Sequence, residues 1–176
     1  MTTHGTLFLH GDGLRGGTWD TVRAALGART GPTAAPDLDA QTPDELITLA
    51  RGRARRFSLE LDGPVLIVGH SLGAVLAALA AQDPGAPVVG GVILISPPYG
   101  EREEMPGPIM RFLLRHQLVP PALVRPRFFS SHTPVAIQKR IFASAVPEAP
   151  ALREITYQKE FFHNDLFSDP LPVPAL

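Results

Sequence analysis

The residues with the clearest capacity for chemistry form a short stretch, Gly69–Gly73, in which a serine stands between two glycines. The apolar run Pro64–Val68 precedes it and predicts a buried strand, and the small, helix-forming run Ala74–Ala81 follows it and predicts a buried helix. At such a strand-to-helix junction, Gly-x-Ser-x-Gly holds its serine in a tight, strained turn, because the glycines let strand and helix approach closely. We therefore predict that Ser71 is a nucleophile at a helix N-terminus.

A serine in this position would attack an acyl group. The N–H groups at the helix N-terminus favour the negative charge that develops on the carbonyl oxygen. A serine hydroxyl is a weak nucleophile at neutral pH, so a base from elsewhere in the fold must accept its proton. The alternative interpretation is structural only: the pentapeptide would then be a Gly/Ser turn between a buried strand and a buried helix.

Length and composition indicate one globular domain and argue against several function classes. The chain has 176 residues, of which 44% are hydrophobic and 19% charged, enough for a single core. A net charge of −1 gives no indication of a nucleic-acid or membrane partner. The absence of cysteine excludes thiol catalysis and cysteine-bound metal. The residues Met1–Gly5 do not resemble a signal peptide. We expect a cytoplasmic protein without metal or organic cofactor.

Alternating strand and helix patterns surround the serine. Strands are predicted at Thr6–Leu9, in the apolar run before Gly69 and at Val88–Ile95. An edge strand is predicted in the stretch Gly31–Leu38, where it ends at Pro36–Leu38. Strand-helix-strand repeats of this length predict an α/β fold with a mostly parallel, doubly wound sheet. In such sheets ligands bind outside the carboxyl ends of the strands, which is where Ser71 falls.

Two intervening helices have distinct start signals. Thr18 is predicted to cap a helix with one apolar face, and Thr42–Glu45 is a capping box with proline at the first helical position. The apolar face of the first helix comprises Trp19, Val22, Ala25 and Leu26. The apolar stripe of the second comprises Leu46, Ala50, Phe57 and Leu61.

The pattern changes to short helices joined by proline turns after the fourth predicted strand. Helical spacing occurs at 109–119, from Thr133 onward and at 152–166. We interpret residues 99–169 as a helical lid over the carboxyl edge of the sheet. The predicted organisation is then a core at 1–98, the lid, and the start of a further core strand at 170–176.

Four features in chain order resemble the α/β-hydrolase superfamily, in its lid-bearing serine-hydrolase branch of esterases and lipases. They are Leu9–Gly11 at a strand end, Trp19 in the following helix, Pro36–Leu38, and the pentapeptide Gly69–Gly73. The resemblance extends from residue 6 to residue 176. It implies the α/β-hydrolase type of sheet, incomplete at its C-terminal end, with a lid insertion.

The resemblance also implies roles for individual residues. Ser71 would be the nucleophile, and the backbone N–H groups of Leu72 and Asp12 would form the oxyanion hole. His10 and His70 would have structural roles. The implied reaction cleaves an ester, thioester or related acyl bond of a small apolar substrate through an acyl-enzyme. Two alternatives remain, a non-catalytic ligand-binding protein of this fold, and C–C hydrolase, haloperoxidase or acyltransferase chemistry.

One part of the superfamily pattern is missing from these residues. The acid and the histidine of the triad follow the two strands after the lid, whereas this sequence reaches only the opening of the first. Three explanations are open. The chain is a piece of a longer protein or of a nicked one, with a companion chain carrying the remaining fold. It is a natural truncation without catalysis. Or internal groups substitute, Glu101 as acid and His132 or His163 as base.

Overall fold

The computed structural model describes residues 4–83, 89–98, 107–116, 118, 129–147, 149, 151–152 and 170–176. Within these residues, four parallel strands form one sheet in the order β2-β1-β3-β4. The strands are β1 (Gly5–Leu9), β2 (Thr33–Ala34), β3 (Val65–His70) and β4 (Val89–Ile95). The helices are α1 (Asp20–Leu26), α2 (Pro43–Leu61), α3 (Leu72–Ala81), α4 (Pro108–Arg115) and α5 (Val135–Ser144), with 3₁₀ turns at Gly16–Trp19 and Gly27–Thr30. The predicted parallel α/β fold is confirmed.

The sheet is covered on both faces, and β1 shows the division because its side chains alternate. Leu7 and Leu9 are buried with residues of α2 and α3 in one cluster. Phe8 points to the opposite face and packs against Trp19, with 5.0 Å between ring centroids. A strand buried on both faces has no polar alternation, which is why β1, β3 and β4 are almost continuously apolar.

The carboxyl ends of the central strands lie side by side. In the parallel register Leu9 of β1 pairs with Gly69 of β3, and His70 pairs with Ile95 of β4. The segments that follow these three strands therefore meet at one edge of the sheet. This register gathers residues that are far apart in sequence, and it is the step that builds the site.

The last described residues run alongside β4. The N–H of Val92 donates to the carbonyl of Pro174 at 2.9 Å, and that of Leu94 donates to the carbonyl of Leu176 at 2.8 Å. Ala175 forms a parallel bridge with Val92. Residues 174–176 thus pair with β4 in the parallel direction at the edge of the sheet.

The helix α2 begins where the capping signal predicts. The hydroxyl of Thr42 accepts a hydrogen bond from the N–H of Glu45 at 3.2 Å. The carboxylate of Glu45 accepts from the N–H of Gln41 at 2.8 Å, one residue before the position of a standard capping box. The helix ends at Leu61, and the next residue, Asp62, caps it with a left-handed φ of 51°. Leu46, Ala50, Ala54 and Ser58 form its buried stripe, and Phe57 and Leu61 pack against the same cluster.

Three details of the expected elements are wrong. The edge strand β2 covers only Thr33–Ala34, and Pro36–Leu38 lies in the loop after it. Proline lacks the N–H that a ladder needs, so Pro32 and Pro36 limit the strand to the residues between them. Thr18 does not cap α1, since its hydroxyl donates to the carbonyl of Arg15. No residue of α1 is buried; of the predicted apolar face, Trp19 in the preceding turn is buried and Leu26 is partly buried against it, whereas Val22 is exposed.

The predicted helices after β4 are present where the structure describes them. Helix α4 begins at Pro108, one residue before the predicted stretch 109–119, and α5 follows Thr133 and Pro134 directly. Leu152 is buried and helical, but the rest of the third predicted helix lies outside the described residues. No helix in the described ranges has the length and apolarity needed to cross a bilayer.

Candidate active site

The junction between β3 and α3 consists of one residue, Ser71. Its φ of 54° and ψ of −121° lie in a region that glycine tolerates and other residues occupy at a cost of about 1–3 kcal/mol. The flanking glycines permit the turn. A Cβ on Gly69 would lie 2.6 Å from the Cα of Ala74, and one on Gly73 would lie 2.6 Å from the carbonyl oxygen of His10. Strand, helix and the loop after β1 therefore approach more closely than side chains allow.

The backbone of Ser71 is fully engaged, but its hydroxyl is not. The N–H donates to the carbonyl of Ile95 at 2.9 Å, and the carbonyl accepts from Ala74 at 2.9 Å. The side chain does not cap α3. No hydrogen bond to the hydroxyl comes from the described part of the chain. Because its backbone is fixed on both sides, Ser71 presents a hydroxyl at the carboxyl edge of the sheet in a defined position.

Leu72 provides a backbone N–H next to this hydroxyl. It is the first residue of α3, and the first N–H groups of an α-helix have no acceptor within the helix. The partial positive charge of the helix N-terminus adds to the attraction for an anion. The side chain of Leu72 is buried, which holds the peptide in place.

The loop after β1 approaches Ser71 through a glycine. A Cβ on Gly11 would lie 3.2 Å from the Cβ of Ser71. The N–H of Leu14 donates to the carbonyl of Gly11 at 3.3 Å, which closes a turn with Asp12 and Gly13 at its centre. Gly13 has φ of +69°, the value that the third residue of a type II turn requires. Asp12 thus lies in a tight turn beside the serine.

His10 holds this loop and has no free nitrogen for catalysis. Its Nε2 accepts from the N–H of Leu38 at 3.1 Å, so the proton of the neutral ring is on Nδ1, which donates to the carbonyl of Gly11 at 3.0 Å. The ring is buried. His10 therefore connects the turn after β1 with the loop after β2.

The other histidines do not supply a base within the described residues. Burial lowers the pKa of His70 below its ordinary value, and its ring lies against Gly11. No hydrogen bond connects it to Ser71. His132 is exposed in the turn before α5 and likewise makes no hydrogen bond to the serine. Glu101 and His163 lie outside the described residues.

A second connection between the two loops was not anticipated from the sequence. The carboxylate of Asp37 accepts from the N–H of Gly16 at 2.8 Å and from the guanidinium of Arg15 at 3.2 Å. Arg15 also contacts Asp39 at 2.5 Å, and these carboxylates, Asp39 first, raise the pKa of Arg15. The Pro36–Leu38 motif pointed to this loop, but only the tertiary structure shows what its carboxylate binds.

The described residues contain no cluster of three or more histidine and acidic side chains that could hold a metal ion. The groups that the described residues bring together at the candidate site are the hydroxyl of Ser71 and nearby backbone N–H groups. Such groups can attack a carbonyl carbon and stabilise the resulting oxyanion.

Comparison with known proteins gives the family of this fold and site. The sequence profile of the alpha/beta hydrolase family matches residues 6–175. No curated protein sequence matches the chain.

Several solved structures are similar. A monoacylglycerol lipase from Paleococcus ferrophilus is 18% identical, with a TM-score of 0.68, over 99% of this chain and 72% of its own. A lipase-esterase related protein from Clostridium acetobutylicum is 14% identical, with a TM-score of 0.74, over 98% of this chain and 73% of its own. The pyrethroid hydrolase PytH is 25% identical over 55% of this chain and 41% of its own length, with a TM-score of 0.47. The family profile covers the chain from β1 to the residues that pair with β4 at its end, and the chain belongs to the alpha/beta hydrolase family.

Proposed function

We propose that the protein is a serine hydrolase that cleaves an ester, thioester or related acyl bond through an acyl-enzyme on Ser71. Family membership supports hydrolase chemistry in general. The observation that carries the serine mechanism is the backbone of Ser71, which holds a positive φ of 54° at the N-terminus of a buried helix. A strained residue of this kind persists only where the surrounding structure enforces it, and such residues cluster at functional sites.

The reaction begins when the Oγ of Ser71 attacks the carbonyl carbon of the substrate. The hydroxyl proton passes to a general base, the C–O or C–S bond to the leaving group breaks, and the base returns the proton to the leaving alcohol or thiol. Water then attacks the acyl-enzyme by the same route and releases the acid. We assign the base to residues outside the described part of the chain, because within that part the hydroxyl has no hydrogen-bond partner.

The oxyanion is stabilised by the backbone N–H groups of Leu72 and Asp12. The N–H of Ser71 is unsuitable, because it already donates to the carbonyl of Ile95. Loss of one such donor raises the barrier by roughly 3–4 kcal/mol. Both donors are backbone groups, so substitutions that move the turn test them better than substitutions that change their side chains.

A small apolar substrate is proposed from the surface that follows β4. Ile109 and Phe112 of α4 are 77% and 56% exposed, and we propose that 99–169 is a lid which presents apolar side chains to the acyl group. The similar structures include a monoacylglycerol lipase, whose name indicates an ester substrate. Small apolar esters are therefore the first substrates to test.

The test uses the full-length protein with p-nitrophenyl esters of increasing acyl length and with a fluorophosphonate probe. We expect one probe molecule per chain, attached to Ser71, and hydrolysis that is fastest for short acyl groups. Ser71→Ala should remove labelling and reduce kcat/KM by at least about 10³-fold. Ser96→Ala is the matched control, because Ser96 is exposed after the neighbouring strand and also has a positive φ, 48°. It should keep labelling and rate.

Each other outcome has a defined meaning. Labelling at Ser96, or equal labelling of the Ser71→Ala variant, would refute the mechanism. Labelling at Ser71 without ester hydrolysis would redirect the search to C–C hydrolase, haloperoxidase or acyltransferase substrates. An unlabelled full-length protein that still binds ligands would be a non-catalytic member of the family.

A further inference from the structure

The chain after α5 contacts the turn that contains Asp12. The N–H of Val146 donates to the carbonyl of Gly13 at 2.9 Å. Six residues earlier, within α5, the guanidinium of Arg140 donates to the hydroxyl of Thr21 in α1 at 3.1 Å. A region that follows the sheet in sequence thus contacts the segment after β1 at two points, once in the loop and once in α1.

The same segment is anchored in the core a few residues later. Leu152 is 3% exposed and belongs to the cluster that contains Leu9 and Leu38. Its N–H donates to the carbonyl of Ala149 at 2.9 Å. We call the residues Val146, Pro147, Ala149 and Leu152 the docking segment. Because Leu152 is buried, the C-terminal end of the docking segment is fixed, and Val146 at its N-terminal end can hold the turn.

The contact at Gly13 is a backbone contact beside a space that side chains do not fill. A cavity of about 80 Å³ is bordered by the docking segment, by His10 and Leu14, and by the loop after β2. The hydrogen bond from Val146 is a direct link between the segment and the turn.

We infer that Val146 is a positioning residue for the oxyanion hole, and this inference rests on the proposed function. Its N–H fixes the carbonyl of Gly13, which is the residue after Asp12 in the turn. The orientation of that turn decides where the N–H of Asp12 points. A displacement of about 1 Å in a catalytic group can lower a rate roughly 100-fold. The docking segment thus couples the region after β4 to the site without contacting the substrate.

The test removes the backbone N–H of Val146 that donates to the carbonyl of Gly13. Val146→Pro deletes the N–H, and Val146→Ala is the control that keeps it while shortening the side chain. Ala145 has φ of −66° and ψ of 135°, the extended conformation that a residue before proline adopts, so the substitution requires no change at position 145. Both variants are made in the full-length protein.

The kinetic readout separates positioning from folding. Val146→Pro should lower kcat for p-nitrophenyl esters by roughly tenfold or more, with KM within about twofold of wild type. Val146→Ala should change neither by more than about twofold. Gly13→Ala gives a second route, because alanine is strained at φ of +69°, and it should reproduce the same loss of kcat if Val146→Pro does not fold.

A second readout does not depend on activity. Hydrogen exchange of the peptide that spans residues 11–14 should become faster in Val146→Pro and stay unchanged in Val146→Ala. Equal kcat in the two variants of an active enzyme, or a lower kcat without faster exchange, would overturn the inference. If the wild type neither hydrolyses esters nor reacts with fluorophosphonate, the proposed function has failed. Exchange alone then decides whether Val146 holds the turn.

Discussion

The sheet around Ser71 and the helices that follow β4 are held in different ways. Nine of the ten residues of α3 are buried, and Leu9, Ile67 and Val75 have no measurable exposure, at 0%. By contrast, α5 has no buried residue, and Ile109 of α4 is 77% exposed. The first region is a closely packed core. Among the described residues of the second region, Leu152 is buried in that core and Ala149 packs against it, and hydrogen bonds from Arg140 and Val146 reach the segment after β1.

This difference assigns separate tasks to the two regions. A residue with positive φ can be maintained at Ser71 because β1, β3 and α3 approach too closely to relax. Exposed apolar helices with few anchoring contacts contribute little to stability and can change without loss of the fold. We therefore expect that substitutions in the core affect stability, whereas substitutions after β4 affect substrate preference and rate. The predictions below test this separation, beginning with the largest effect.

The same substitution at two glycines should have opposite effects. In Gly73→Ala the new Cβ meets the backbone carbonyls of Leu9 and His10, which cannot rotate away, and we expect a loss of at least about 3 kcal/mol in the free energy of unfolding. In Gly52→Ala, within α2, a Cβ meets nothing within 4 Å. It should stabilise by about 0.5–1 kcal/mol. Urea unfolding of both variants measures the difference. A mild cost at position 73 would mean that β1 and α3 are not in close contact.

Apolar truncation should distinguish the two regions directly. Leu76 of α3 is 1% exposed, and Leu76→Ala should lower the free energy of unfolding by about 2–5 kcal/mol, because it leaves a cavity. Ile109→Ala, at a 77% exposed position of α4, should stay within about 0.5 kcal/mol of wild type. The same unfolding assay applies. A large loss of unfolding free energy in Ile109→Ala would show that α4 is part of the core and would contradict the proposed difference between the two regions.

The strain at the nucleophile should be measurable as stability. Ser71→Gly should be more stable than Ser71→Ala by about 1 kcal/mol, because glycine has no Cβ to disfavour the backbone conformation at this position. Both variants lack the hydroxyl, so both should be inactive. Thermal unfolding compares them. If Ser71→Ala is as stable as Ser71→Gly, the turn stores no strain, and the positive φ of Ser71 no longer supports its assignment as the nucleophile.

The smallest expected effect concerns pH. Burial lowers the pKa of His70 in the folded state, so the unfolded chain binds more protons between the folded pKa and the unfolded value near 6.5. Stability contributed by the neutral ring is complete above that window and is lost as pH falls through it. The wild type should therefore lose more unfolding free energy between pH 7.5 and 5.5 than His70→Gln does. Equal losses would show that His70 is effectively solvated.

The sequence predicted the local elements around the nucleophile because their signals are local. The β-branched run before Gly69, the small residues after Gly73 and the capping residues near Thr42 act within one turn or one strand. It was less successful where tertiary context decides. The expected strand end at Pro36–Leu38 is a loop, and α1 buries none of its own residues. Short elements such as these have too few residues for periodicity to be a reliable guide.

The sequence by itself determined that a serine follows a buried strand and begins a buried helix, since glycine spacing and apolar runs are properties of contiguous residues. Only the tertiary structure decided which groups surround that serine. The parallel register brings the turn containing Asp12 beside Ser71, His10 and Asp37 join two loops, and Val146 reaches Gly13 from 133 positions further along the chain. Each of the last three contacts uses a backbone N–H as its donor, from Leu38, Gly16 and Val146 respectively. Every residue type except proline carries that group, so no sequence pattern marks which N–H groups meet these acceptors.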